Sequence, residues 1–285
     1  MGTKWARARE TARAKLASAG VASPDADVRL LADFVFGAVP SATDVINDAD
    51  LAAFERVVAE REARVPLQHI VGTMYFRYLE LESLPGVFVV RPETELVAEA
   101  VIAEIENMNA TPPGAGSRPI VVDLCTGSGA IAIAIATESA AEVTAVELSD
   151  VAFESASRNN AACGNKVRLV HGDALTALPE LEGRVDVVVS NPPYVRDDED
   201  ISPEVAQDPQ MALFGGGHEG LDMPVSIIDR ARVLLRDGGI LIMEHGDGQG
   251  APLRDAANER GFVNVSTGQD LTGRDRWLRA QKGKA

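Results

Sequence analysis

From residue 120 onward the apolar positions of the chain follow two alternating rhythms. Short β-branched runs at 120–124, 142–148, 167–171, 185–189 and 239–244 read as strands buried on both faces. The longer stretches at 129–137, 150–163, 221–236 and 249–260 carry apolar residues every three to four positions, which is the helical period. Strands alternating with helices predict a mostly parallel, doubly wound sheet, closed by strands at 262–267 and 276–279.

Before residue 120 the pattern differs. Trp5, Ala8, Ala12, Leu16 and Ala19 recur at helical spacing until Gly20. Ser23-Pro24-Asp25 opens a second helix through Val28, Leu30, Leu31 and Phe34 to Gly37, and a third covers 48–64. These predict a small helical bundle. Residues 65–90 bring alternation and aromatics, Tyr75, Phe76 and Tyr78 among them, and predict a β-hairpin between two domains. Arg91-Pro92-Glu93-Thr94-Glu95 then opens another helix, with proline and acids in its first turn. The turn-rich run at 111–119 reads as a loop inside the second domain.

The run at 185–189 ends in Asn191-Pro192-Pro193-Tyr194. Neither proline can donate to a sheet ladder, so the strand must stop there. A residue before proline is pushed toward extended backbone, which makes the corner stiff. It offers one side-chain amide (Asn191), one main-chain carbonyl without a ladder partner (Pro192) and one aromatic ring (Tyr194). Ligands of open α/β sheets bind at this end of the strands.

A second candidate lies after the strand at 120–124, in Asp123-Leu124-Cys125-Thr126-Gly127-Ser128-Gly129. Gly127 and Gly129 let main chain approach a ligand, and the following helix offers free N–H groups. This turn fits a dinucleotide or S-adenosylmethionine; Asp123 suits the ammonium of the latter. Glu147 ends the next strand, where a carboxylate accepts ribose hydroxyls of either cofactor. Asp173, followed by Ala174, ends the third strand as an acceptor for an adenine amino group or as a turn-forming residue. The proline corner separates the two cofactors. A dehydrogenase has no use for it. A methyltransferase acting on an amide or exocyclic amine does, because two acceptors, Asn191 Oδ1 and the Pro192 carbonyl, hold both N–H groups of a poorly nucleophilic NH2.

Charge and composition narrow the target. The chain of 285 residues is 46% hydrophobic and carries a net charge of −16. Residues 1–80 hold ten basic and eleven acidic side chains, which leaves 17 and 32 for residues 81–285. An acidic second domain argues against gripping nucleic acid by its phosphates. The first helix, with Lys4, Arg7, Arg9, Arg13 and Lys15 against Glu10, is either a solvated face or a contact surface for an acidic or RNA-containing partner. Two cysteines in no metal spacing and four scattered histidines call for neither a disulfide framework nor a metal. No run of 18 apolar residues and no apolar signal core are present, so a cytoplasmic protein without a membrane role is expected.

The motifs together resemble the release factor glutamine N5-methyltransferases. Pro66-Leu67-Gln68-His69-Ile70-Val71-Gly72 resembles the family's interdomain stretch, and Arg91 to Glu95 its segment beside the cofactor. Asp123 to Ile131 matches the glycine motif and Asn191 to Tyr194 the catalytic one. Ala212 to Gly216, Gly220-Leu221, Glu244-His245-Gly246 and Leu271 to Arg276 match later parts of the pattern. Departures are Cys125 for Gly, Glu147 for Asp, Val90 for Pro, Asp208 for Glu, and Ala174 where some members carry an aromatic residue.

The resemblance implies a class I S-adenosylmethionine-dependent methyltransferase of α/β class, Rossmann-like, with a seven-stranded mostly parallel sheet. A helical docking domain at 1–72 and a hairpin linker at 73–90 precede the methyltransferase domain at 91–285. It implies transfer to the glutamine of the Gly-Gly-Gln loop of class I peptide chain release factors, leaving S-adenosylhomocysteine. The catalytic residues expected are Asn191, Pro192 and Tyr194, with Pro193 joining them against the substrate. Those expected at the cofactor are Asp123, Cys125, Thr126, Gly127, Ser128, Gly129, Glu147, Asp173, Ala174 and Asn191. The competing readings are an adenine-N6 or guanine-N2 methyltransferase, disfavoured by the acidity, and a cofactor-sensing module without turnover.

Overall fold

The computed structural model describes residues 4–41, 44–110 and 118–284. The expected loop at 111–119 lies mostly outside them. Among the described residues the chain divides into two compact units. One comprises the residues up to Thr73 together with Ile201–Gln207; the other comprises Met74–Asp200 and the residues from Asp208 onward. The division is not contiguous in sequence, unlike the one expected above.

The first unit holds helices α1 (Lys4–Ser18), α2 (Pro24–Phe36), α3 (Asp48–Glu62) and α4 (Leu67–Val71). Trp5 anchors it, edge-on to Phe36 at 5.4 Å and to Phe54 at 5.2 Å, with its indole N–H donating to the Pro40 carbonyl at 2.9 Å. Leu16, Leu31, Val58 and Ile70 fill the space between the helices. Gly37, at φ 76°, ends α2, and the Asn47 side chain caps α3 by accepting from the Asp50 N–H. The short α4 corrects the expectation of strand from residue 65. Ile70 is buried with the bundle, Val65, Leu67 and Val71 pack against the same core, and Gly72 at φ 77° stops the turn. Helical spacing of the apolar residues therefore overrides their β propensity. The basic residues of α1 are partly paired, Lys4 with Asp48 and Arg13 with Glu10.

The second unit opens, from Met74, with the hairpin formed by β1 (Thr73–Phe76) and β2 (Leu79–Glu82), turning at Arg77 with φ 52°. Residues 83–90 do not extend it. Helix α5 runs over Thr94–Ala110, starting two residues after Pro92, because residues 91–93 form a turn. There follow β3 (Ile120–Leu124), α6 (Ala130–Glu138), β4 (Glu142–Glu147), α7 (Asp150–Ala162), β5 (Val167–His171), β6 (Val185–Ser190), α8 (Gln210–Leu213), α9 (Asp222–Leu234), β7 (Leu235–Glu244), α10 (Gly250–Glu259), β8 (Phe262–Gln269) and β9 (Asp275–Lys282). Leu235 and Arg236 thus belong to a strand and not to the helix before it.

The seven-stranded sheet has the order β5-β4-β3-β6-β7-β9-β8, parallel up to β7 and antiparallel at β9 and β8. One face packs on α5 and α6 through Val121, Val143, Val187 and Ile242, the other on α9 and α10 through Val122, Val146, Val188 and Leu241. Strand order reverses between β3 and β6, and a crevice at such a switch point is where these sheets take ligands. The register sets Leu124 against Ser190 and Ser190 against Met243. Residues just past these three, on neighbouring strands, therefore gather at one place.

Candidate active site

The turn after β3 is built around a buried carboxyl. Asp123 is fully enclosed; its Oδ2 accepts from the Thr126 hydroxyl at 2.6 Å, the Ala132 N–H also faces the carboxyl, and Oδ1 makes no well-formed hydrogen bond. Burial pushes the Asp123 carboxyl up to about 7, aided by the nearby Glu147 carboxylate and opposed by the Thr126 hydrogen bond. An enclosed acid with a spare oxygen fits a cationic group of a ligand, which would draw off its proton.

Cys125 has φ 63°, the left-handed region where a side chain is strained. This is the backbone that glycine would take without strain, so the departure at this position has a conformational cost. Burial raises the Cys125 thiol well above its ordinary range, and it stays protonated. The turn continues with Thr126 donating its N–H to the Val146 carbonyl and Gly129 donating to Thr126. Ser128 is buried, and its carbonyl accepts from Asn159 at 3.0 Å. Gly129, at φ 85°, starts α6; a Cβ there would stand 3.0 Å from Ile133 and 3.4 Å from Ala156.

Glu147 sits at the end of β4 beside this turn. Its Oε1 accepts the N–H groups of Leu148 and Ser149, and its Oε2 that of Gly127 at 2.8 Å. Burial raises its carboxyl, and these three main-chain bonds oppose the shift. Two oxygens offer about four acceptor sites, so most of this carboxylate is engaged by the turn itself. Asp173 is exposed and accepts from the Leu175 N–H at 2.9 Å, the turn-forming alternative, while Ala174 is buried.

The proline corner follows β6, adjacent to β3. Ser190 ties the two strand ends together by donating to the Leu124 carbonyl at 2.7 Å. Asn191, Pro193 and Tyr194 are half-buried and Pro192 is buried. Asn191 Nδ2 donates to the Thr94 hydroxyl at 3.4 Å, and Tyr194 Oη donates to Glu244 Oε1 at 3.1 Å. Burial pushes the Tyr194 phenol well above its ordinary range, helped by the Glu244 carboxylate beside it. The phenol therefore stays a donor.

A shell that spacing alone does not single out holds this corner. The N–H groups of Tyr194 and Val195 both donate to the Leu213 carbonyl, and Gly215 donates back to Val195. A Cβ on Gly215 would overlap the Gly220 carbonyl and lie 2.9 Å from that of Pro193, and one on Gly220 would overlap the Tyr194 carbonyl. Gln249 donates to the carbonyls of Tyr194 and Glu219, each at 2.8 Å, and accepts from the Gly246 N–H. Arg91 pairs with the buried Asp208, which also accepts from the Val89 N–H. Thr94 and Glu244 lie inside stretches that carry the family resemblance, but no pattern in the sequence ties either to Asn191.

The structure thus brings Asp123, Thr126, Gly127, Glu147 and Asn191 to the ends of adjacent strands. Among the described residues no cluster of metal-ligating side chains occurs, and no helix is long and apolar enough to cross a membrane.

Known proteins are similar to this chain. Residues 79–218 match the family model described as the methyltransferase small domain, and residues 7–72 match the PrmC N-terminal domain. The release factor glutamine methyltransferase of Streptomyces coelicolor is 46% identical over 94% of this chain and 94% of its own. A 4-amino-L-phenylalanine/4-methylamino-L-phenylalanine methyltransferase of Streptomyces pristinaespiralis is 40% identical over 86% of this chain and 84% of its own. Among solved structures, the Thermus thermophilus 16S rRNA N2 G1207 methyltransferase, in complex with AdoMet and guanosine, superposes with a TM-score of 0.52. It is 25% identical, over 74% of this chain and 49% of that one. With a relative of this identity spanning nearly the whole chain, the protein belongs to the release factor glutamine methyltransferase family.

Proposed function

We propose that the protein transfers a methyl group from S-adenosylmethionine to the side-chain amide nitrogen, N5, of the glutamine in the Gly-Gly-Gln loop of class I release factors. The observation that carries the reading is the meeting of two unlike sites at one switch point. One is the enclosed Asp123 carboxyl with its spare oxygen. The other is the stiff Asn191-Pro192-Pro193-Tyr194 corner on the neighbouring strand. A substrate that is a bacterial translation factor places the reaction in the cytoplasm, and the net charge of −16 gives no support to a nucleic-acid substrate.

Asp123, ionised by the cofactor's ammonium, would hold its methionine end. Gly127 and Gly129 leave room for close approach to the main chain, and Cys125, Thr126 and Ser128 complete that turn. Glu147 would face the ribose with the acceptor capacity its three main-chain bonds leave free, and Asp173 and Ala174 would border the adenine. S-adenosylmethionine supplies a methyl group activated on a sulfonium.

The chain's task is the nucleophile. An amide nitrogen is weak because its lone pair is delocalised into the carbonyl. Asn191 Oδ1 and the Pro192 carbonyl would each accept one N–H of the substrate amide, with Pro193 and the Tyr194 ring packing its plane. The nitrogen is then held with its face toward the methyl, and the two oxygens support the positive charge that develops on it. As the new C–N bond forms, the S–CH3 bond of the sulfonium would break to leave neutral S-adenosylhomocysteine, and one N–H proton would pass to water.

The test is to incubate the protein with S-adenosylmethionine and purified release factors and to map the added mass by peptide sequencing. One methyl on the glutamine of Gly-Gly-Gln is expected. Asn191→Ala should lower transfer by at least about a hundredfold, while S-adenosylhomocysteine still binds. Methyl appearing on nucleic acid or on a free aryl amine, and none on that glutamine, would overturn the assignment.

A further inference from the structure

Asn191 can serve as an acceptor only if its amide faces the substrate oxygen-first. A primary amide is nearly symmetric in shape, so packing alone does not choose between its two ends. Something beneath it must.

Glu244 lies there. It is the last residue of β7 and follows Met243, the register partner of Ser190. The carboxylate is 3% exposed. Its Oε1 takes the Tyr194 hydroxyl, and Oε2 is enclosed without a well-formed hydrogen bond. Burial raises the Glu244 carboxyl; the hydrogen bonds of Thr94, Tyr194 and Asn191 oppose that shift and favour its ionised form. The nearby Arg276 guanidinium, itself paired with Asp270, acts in the same sense. Thr94 is fully buried, and its hydroxyl oxygen accepts from Asn191 Nδ2.

An ionised carboxylate only accepts hydrogen bonds. Every group around it must therefore point a proton inward: Tyr194 its phenol, Thr94 its hydroxyl. The Thr94 oxygen is then left to accept, and it takes the NH2 end of Asn191. The direction of each bond follows from one fixed acceptor at the bottom of the network. We infer that Glu244 is a positioning residue of the transfer reaction, which through Thr94 turns the NH2 of Asn191 inward and so presents Oδ1 to the substrate amide. The inference rests on the proposed reaction at an amide nitrogen. It adds a residue that touches neither substrate nor cofactor.

Glu244→Gln keeps size and shape but gives the network a neutral group that can donate. Two readouts are expected to change together. On a release factor substrate kcat should fall at least about tenfold, with KM and the affinity for S-adenosylhomocysteine within about twofold of the parent. In a protein carrying 15N-asparagine, the side-chain NH2 signal of Asn191, identified by its loss in Asn191→Asp, should shift and exchange faster with water. Thr94→Val should reproduce both changes, and Thr94→Ser should restore both. A folded Glu244→Gln protein with parental kcat, or with an unchanged Asn191 signal, overturns the inference. If Glu244→Gln fails to fold, Thr94→Val decides by the same two criteria. If the parent enzyme methylates no glutamine, the functional reading falls by itself, because the Asn191 signal still reports whether Glu244 orients that amide.

Discussion

The side-chain amide of Gln249 reaches the main-chain carbonyl of Tyr194 at 2.8 Å, across 55 residues of sequence. The same side chain holds the carbonyl of Glu219 and the N–H of Gly246. One glutamine therefore pins three loops around the proline corner. Gln249→Ala leaves main-chain groups in a buried setting without partners, a cost of about 1–3 kcal/mol. A lower midpoint in urea is expected, together with a fall in kcat exceeding any change in cofactor affinity. Equilibrium unfolding and steady-state kinetics on the same preparation check both.

Gly215 and Gly220 press main chain against main chain beneath Pro193 and Tyr194. No side chain can swing aside there, so alanine at either position must push the corner itself. Gly215→Ala and Gly220→Ala are each expected to destabilise the protein by more than about 2 kcal/mol and to remove most activity. Gly172→Ala serves as the control. Its φ lies outside the strained range, and its nearest neighbour would be 4.0 Å away. Thermal melting of the three variants should rank the control nearest the parent.

Asp123 predicts a linkage between ligand binding and pH. Burial holds its carboxyl near 7, far above the ordinary value for an aspartate. A raised acid penalises the folded state as pH rises from about 4 toward 7, because the unfolded chain ionises more readily. Asp123→Asn should therefore make the ligand-free protein more stable at pH 8, by about 1–3 kcal/mol. It should weaken S-adenosylhomocysteine binding at least tenfold, roughly the worth of a charge-assisted hydrogen bond. In the parent, an ammonium beside Asp123 ionises it, so binding near pH 6.5 should release a fraction of a proton. Calorimetry in buffers of different ionisation enthalpy measures that release, which Asp123→Asn should abolish.

The sheet and the turns after β3 and β6 were legible in sequence because their signals are local. A β-branched run, two prolines that end it and glycines that open a helix each declare themselves within a dozen residues. The helices of the first unit were legible for the same reason. What escaped was everything set by contacts between distant segments. Val65 to Val71 reads as strand by composition, yet Leu67–Val71 becomes helix because Ile70 meets the core of Phe54 and Leu31. Glu147 reads as a free ribose acceptor, but its oxygens face three main-chain donors that only the folded turn brings near. Gln249, Glu244 and Thr94 carry no mark of their role, since each acts on the corner from 50 to 100 residues away in sequence.

Glu204 offers a test within the first unit. It accepts from Arg64 Nε at 2.6 Å and from Arg61 Nη2 at 2.9 Å, while Arg61 also binds Asp27 at 2.7 Å. Burial alone would raise the Glu204 carboxyl, but the two guanidiniums outweigh it and hold it down to about 2. A depressed acid contributes stability above the unfolded pKa of about 4.3, and that contribution is lost as pH falls from there toward 2. Glu204→Gln should cost on the order of 1 kcal/mol at pH 7 after solvent screening, and clearly less at pH 2. Urea titrations at the two pH values provide the comparison.

That same glutamate belongs to a seven-residue excursion, Ile201–Gln207, which joins the helices of the first unit, while Asp208, at its exit, is gripped by Arg91 in the second. During synthesis the helical unit would leave the ribosome more than a hundred residues before this last piece of itself. Arg61 and Arg64 must wait for their shared counter-ion until the strand carrying the proline corner has also emerged. A fragment ending at Thr73 would hold all four helices and still lack part of its own unit. The first unit to be translated is thus completed only by a segment made after the proline corner.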